Sequence, residues 1–111
     1  MDELMTSQAT ADALTVHLSC EIDHHTARRL RERIDGELFV YKPRLLVFDF
    51  SGVRFMDSSG IGLIMGRLAA MSAIGGTMRL EGLSPSLSKL IRLSGIEKMR
   101  GITVASPRGN G

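Results

Sequence analysis

The chain has 111 residues, 43% hydrophobic and 23% charged, a balance that suits one compact soluble domain and excludes a disordered chain. Lys and Arg outnumber Asp and Glu by 14 to 12, a net charge of +2 that argues against direct nucleic-acid binding. Only 5% of residues are aromatic and Trp is absent, so an aliphatic core is expected, with the 7 Met residues as filler.

Residues Glu3 to Gln8 read as a weak strand, and alternation sharpens in Ala13 to Ser19, where Leu14, Val16 and Leu18 share a face. Ala9 to Asp12 would be the hairpin turn. A helix is predicted from His24 to Phe39, with Asp23 as N-cap and Ala27, Leu30, Ile34 and Leu38 on one stripe. Its arginines, Arg28, Arg29, Arg31 and Arg33, are broken by Glu32 and followed by Asp35 and Glu37, which reads as a solvated face. Tyr41-Lys42-Pro43 ends it. Arg44 to Phe50 is an almost unbroken apolar run, the mark of a strand buried on both faces. After a loop over Ser51 to Met56, a second helix is expected from Ser58 to Ile74, ended by Gly75-Gly76. Thr77 to Glu81 is a short strand, and Ser84-Pro85 opens a third helix with Leu87, Leu90 and Ile91 inward. Ile96 to Val104 reads as extended, and the tail over 105–111 as disordered. The order β-β-α-β-α-β-α-β implies a mixed sheet whose later strands run parallel.

The second helix contains Gly60, Gly62 and Gly66, although glycine inside a helix costs about 1 kcal/mol relative to alanine. Projected at about 100° per residue, Ile61, Ile64, Leu68 and Met71 form a core face with Met65 at its edge. The opposite face, Ser59, Gly62, Gly66, Ala69, Ala70 and Ala73, is uniformly small. It either packs tightly against a neighbouring helix or lies open as a docking surface, with Leu63 and Ile74 as apolar borders.

Asp57, Ser58 and Ser59 stand where this helix begins. An N-cap explains one of them. Three in a row followed by glycine point to a phosphorylated serine, though the pattern alone does not choose between the two. A phosphoserine brings about −1.5 to −2 charges, which a helix N-terminus tolerates. Against a partner carboxylate at about 5 Å and an effective dielectric near 20, each charge pair costs about 3 kcal/mol, roughly a hundredfold in affinity.

Other chemistries fit less well. The glycines are spaced G-x-G-x-x-x-G, which is not a dinucleotide loop, although Glu81 lies at a suitable distance. The nucleophile elbow G-x-S-x-G of serine hydrolases is absent, and nothing brings His24 or His25 to Ser58. Asp23, His24 and His25 are adjacent, so they diverge at a helix start and make a poor metal site. The single Cys20 suits a reducing compartment. Neither a signal peptide nor a membrane-length apolar stretch is visible, so a cytoplasmic location is expected.

Two segments, Glu21-Ile-Asp-His-His-Thr-Ala27 and Phe55-Met-Asp-Ser-Ser-Gly-Ile-Gly62 followed by Gly66-Arg67, resemble the anti-anti-sigma factors, whose fold is the STAS domain. The resemblance runs over about residues 3–104, and the His24-His25 pair is similar to the sporulation branch of anti-sigma-factor antagonists. It implies an α/β fold, a single STAS-like domain over 1–104 with a mixed four- to five-stranded sheet covered by helices. It also implies a binding module rather than an enzyme. The unphosphorylated form would bind an anti-sigma factor that is itself an ATP-dependent serine kinase, freeing the sigma factor. Phosphorylation of Ser58 would switch that binding off, and a serine phosphatase would restore it. ATP and magnesium would be held by the kinase, leaving this chain without cofactor or metal. The implied partner-binding residues are Asp23, His24, Asp57, Ser58, Ser59, Gly60 and Gly62. A scaffold subunit of a transport or stress-signalling complex is the alternative within the same fold. Cys20 stands where the family usually has glycine, and no helix is expected after the last strand.

Overall fold

A computed structural model describes residues 4–105. Strands β1 (Met5–Ala9) and β2 (Ala13–Leu18) form an antiparallel hairpin with Ala9 opposite Leu14. Thr10 closes its turn: its N–H donates to Ala13 O at 2.8 Å, and its Oγ1 accepts the Ala13 N–H at 3.0 Å. Then follow α1 (His24–Tyr41), β3 (Leu45–Asp49), α2 (Ser58–Ala73), β4 (Thr77–Glu81), α3 (Pro85–Ser94) and β5 (Ile102–Val104). β2 to β5 pair in parallel, which completes a five-stranded mixed sheet in the order β1-β2-β3-β4-β5.

Alternation along the strands puts Leu14, Val16, Leu46, Phe48, Met78 and Leu80 on one face, in one cluster with Leu30 and Ile34 of α1, Ile64 and Leu68 of α2, and Leu87 and Ile91 of α3. Each such side chain contributes about 1.5–3 kcal/mol by leaving water. The β3 run is buried on both faces, as its apolar pattern predicts, with Leu46 and Phe48 in the core cluster. Val47 takes the other face. It is 7% exposed yet outside the cluster, flanked in register by Thr15 and Arg79.

That second face holds a polar pair, His17 Nδ1 lying 2.7 Å from Asp49 Oδ2. Burial works to raise the Asp49 carboxyl, but the Ser51 N–H, 3.0 Å from Oδ1, and His17 outweigh it and hold it below the usual carboxylate range.

Element ends follow local chemistry. α1 runs two residues past its expected end, to Tyr41, where Lys42 turns left-handed (φ 45°) and donates its N–H to Leu38 O at 2.9 Å. α2 ends at Ala73, one residue short of expectation, and Gly75 adopts φ 77°. The segment from Ile96, read as extended, instead begins with a 3-10 turn, Ile96–Lys98. Gly95 turns left-handed at φ 79°, and Ser94 Oγ accepts the Ile96 N–H at 3.1 Å, which tightens the chain before β5. Ala105, placed in the tail from sequence, donates its N–H to Leu80 O at 2.9 Å. Residues 106–111 of the expected tail, and Glu3 of the first strand, lie outside the described residues. No helix of the described residues is long and apolar enough to cross a membrane.

The three glycines of α2 differ in their surroundings. Gly60 is buried, and a Cβ there would collide with the Met56 side chain and sit 3.3 Å from Ile22 Cγ2. A Cβ on Gly62 or Gly66 would meet nothing within 4 Å.

Gly62→Ala and Gly66→Ala should therefore each raise stability, by up to about 1 kcal/mol. Gly60→Ala should fall below Gly62→Ala by about 1–3 kcal/mol, all three read from urea denaturation midpoints. Asp49→Asn tests the polar pair. The folded Asp49 value lies below the unfolded one (~3.9), so its stabilisation is present above that pH and lost as pH falls through the lowered value. The variant should be less stable at neutral pH and converge with wild type as pH falls through the lowered Asp49 value.

Candidate functional site

Beyond the ends of β2 and β3 the chain pairs once more, through a parallel bridge between Ile22 and Met56. Ile22 N–H donates to Phe55 O at 2.9 Å and Asp57 N–H donates to Ile22 O at 3.1 Å. Both bridge side chains are buried. The bridge sets the N-termini of α1 and α2 side by side at the carboxyl end of the parallel strands, where open α/β sheets place their sites.

Each tip is fixed by an aspartate. Asp23 Oδ1 accepts the His25 N–H at 3.0 Å and the Thr26 N–H at 2.9 Å, while Thr26 Oγ1 accepts the Asp23 N–H at 3.0 Å, a reciprocal capping box. The Thr26 N–H above all, helped by the Thr26 hydroxyl and the His25 N–H, holds the Asp23 carboxyl below its ordinary range. At α2, Asp57 Oδ1 accepts the Ser59 N–H at 2.8 Å. The cap is thus made by Asp57, not by Ser58. Ser58 is exposed, Ser59 half-buried and Gly60 buried.

The sequence-predicted residues Asp23, His24, Asp57, Ser58 and Ser59 come together at these tips. Gly60 lies beneath them against Met56 and Ile22, so its part is to let the tip settle. Gly62 is exposed one turn further on. Cys20 is half-buried, and its thiol is pushed up mainly by burial and then by Asp23. Lys42 is the only non-glycine described residue with positive φ, so Cys20 does not occupy a conformation that needs glycine. Among the described residues, no three His, Cys, Asp or Glu side chains stand close enough to hold a metal ion.

The small face of α2 is neither fully packed nor fully open. A groove of about 540 Å³ runs between the helices, with His24, Ala27, Arg28 and Arg31 on the α1 wall. Ser59, Gly62, Leu63, Gly66 and Arg67 form the α2 wall. Leu63, expected as an exposed apolar border, is only 4% exposed and belongs to the core; Ile74 is 48% exposed, in a second groove beside Phe39.

Arg67 is the residue that sequence reasoning missed. Its Nε lies 2.8 Å from Asp35 Oδ1 on α1, yet the direction is wrong for a hydrogen bond, and Nη1 is buried without a partner. Burial pulls the guanidinium down, Asp35 opposes that, and Arg31 adds like-charge repulsion. The available signal was that Arg67 is the only charged residue in α2.

The STAS domain family profile matches residues 5–106. The chain is 35% identical over 86 residues to the anti-sigma F factor antagonist of Paenibacillus polymyxa, spanning 78% of this chain and 74% of that protein. Among solved structures, the anti-sigma factor antagonist SpoIIAA in its unphosphorylated form has a TM-score of 0.78 at 28% identity, covering 92% of this chain and 88% of that one. The Bacillus cell fate determinant SpoIIAA in its phosphorylated form has a TM-score of 0.70 at 28% identity, covering 92% and 91%. With the mixed sheet, the paired helix tips and a profile match over nearly the whole length, this chain belongs to the STAS domain family.

Proposed function

We propose that this chain is an anti-sigma-factor antagonist that works by partner switching and has no catalytic activity of its own. Its unphosphorylated form binds a cytoplasmic anti-sigma factor that is also a serine kinase, and so frees a sigma factor. The kinase holds ATP and magnesium, phosphorylates Ser58 and thereby ends the docking; a serine phosphatase resets the switch. One observation carries the reading: Ser58 is exposed at the start of α2 while the cap is made by its neighbour Asp57. A group added to Ser58 therefore changes the surface and leaves the fold's hydrogen bonds in place. Support also comes from relatives named as antagonists and from solved structures named SpoIIAA, one in an unphosphorylated and one in a phosphorylated form.

The docking surface is formed by His24, Ser58, Ser59 and Gly62. Asp23 and Asp57 hold the two tips, and Gly60 lets them sit together. A phosphate at Ser58 lies on the positive end of α2, so it is tolerated by the fold, yet it faces the incoming protein. The cost of about 3 kcal/mol per opposed charge pair suffices for release.

Incubation with ATP, magnesium and the cognate kinase should add one phosphate, located by peptide mass mapping at Ser58 and absent in Ser58→Ala. Ser58→Asp should keep the wild-type melting temperature within a few degrees and bind the kinase about a hundredfold more weakly by calorimetry. Phosphate on Ser59 instead, or a Ser58→Asp variant that binds as wild type, would refute the assignment.

A further inference from the structure

We propose that the groove between α1 and α2 receives a carboxylate-bearing segment of the protein partner, with Arg28, Arg31 and Arg67 as its binding cations. This rests on the antagonist reading above and adds the chemistry of the contact.

The lining of the groove includes those three arginines and neither aspartate nor glutamate. Arg67 is the anchor. Its side chain is 9% exposed and lines the groove, and its Nη1 is buried without a hydrogen-bond partner. A buried unpaired donor is costly, and an arriving carboxylate removes the cost. Asp35 Oδ1 lies 2.8 Å from the Arg67 Nε, and the Asp35 side chain is 47% exposed. Arg31 stands near enough to oppose the Arg67 charge, and an anion between two guanidinium groups turns that repulsion into attraction.

The geometry favours a side chain over a bulky polyanion. Gly62 and Gly66 leave the α2 wall bare, since a Cβ at either would have filled open space. A Glu or Asp side chain can therefore enter between the two walls, beside guanidinium groups whose planar fork matches a carboxylate. Glu32, Asp35 and Glu37 interleave with the arginines of α1, which interrupts the basic stripe a nucleic-acid backbone would need. His24 and Ser59 form the rim, so a protein docked at the helix tips extends directly into the groove.

The test is an NMR titration of the isotopically labelled protein with a hexaglutamate peptide, with hexalysine and inorganic phosphate run in parallel. Hexaglutamate should shift the Gly62 and Gly66 amides and the Arg67 Nε–H saturably, and hexalysine should not. Arg28→Glu combined with Arg31→Glu changes two exposed side chains, so the fold should survive and the affinity should drop about tenfold or more. Shifts that fail to saturate, or that are the same in the double variant, overturn the proposal. So does saturation by phosphate without saturation by hexaglutamate, which would make this a small-anion site. The titration needs no kinase. A flat response with Ser58 still phosphorylated overturns the groove assignment alone; saturable binding with Ser58 left unmodified supports the groove and overturns the antagonist reading.

Discussion

The site depends on the two hydrogen bonds that tie Ile22 to Phe55 and Asp57, at 2.9 and 3.1 Å. Parallel strands carry their following helices away in the same direction, but they do not by themselves fix how two helix tips meet. The loops after β2 and β3 differ in length, and the bridge at Ile22 and Met56 brings them back into step. Its side chains face inward, and Met56 occupies the space that a Cβ on Gly60 would need. Backbone pairing, core packing and the glycine at the third residue of α2 are therefore one constraint. Without it, Asp23 and Asp57 would each still cap a helix, but the helices would not present a common surface.

Much of the fold was legible because its local signals agree. Asp23 and Thr26 at the start of α1, Ser84-Pro85 at the start of α3, and Gly75 after α2 are each sufficient to mark a boundary. Where the reading failed, the deciding contact was tertiary or depended on one hydroxyl. Ser94 closes the turn that makes Ile96–Lys98 a 3-10 segment, and nothing in the apolar pattern of that segment distinguishes it from a strand. Val47, by contrast, is buried as its continuous apolar run predicts, on the face that also carries His17, Asp49 and Arg79.

The tips of the candidate site were legible for the same reason as the caps: the residue types state their role. The groove was not. Arg28 and Arg31 sit on α1 among acids and read as solvated, which they are at the level of one helix. Only the approach of α2, with its bare Gly62 and Gly66, makes one wall of them. Arg67 is harder still. Its meaning comes from Asp35 on another helix and from the donor left unpaired, and neither is a property of α2 alone. Likewise the glycines look alike in sequence, although one avoids a collision and two leave space.

The placement of Ser58 also explains how a charge switch can be mechanically simple. The hydroxyl is outside the cap, so the folded state does not rely on it, and the α2 dipole favours an anion there by about 0.3–1 kcal/mol. The neighbouring Asp57 carboxylate works against that gain, but Ser58 is exposed and water screens the pair. The effect on the fold is thus a small difference of small terms. At the docking surface the terms do not cancel. In the proposed switch, a phosphate of about −1.5 to −2 charges beside a groove lined by three arginines would neutralise much of the field that draws in an acidic segment, and would repel that segment directly. Under the proposed switch, the same modification would be nearly neutral for stability and strongly unfavourable for association, because Asp57 and Ser58 are already engaged in the cap or solvated while a partner's charges would have to be desolvated to reach them.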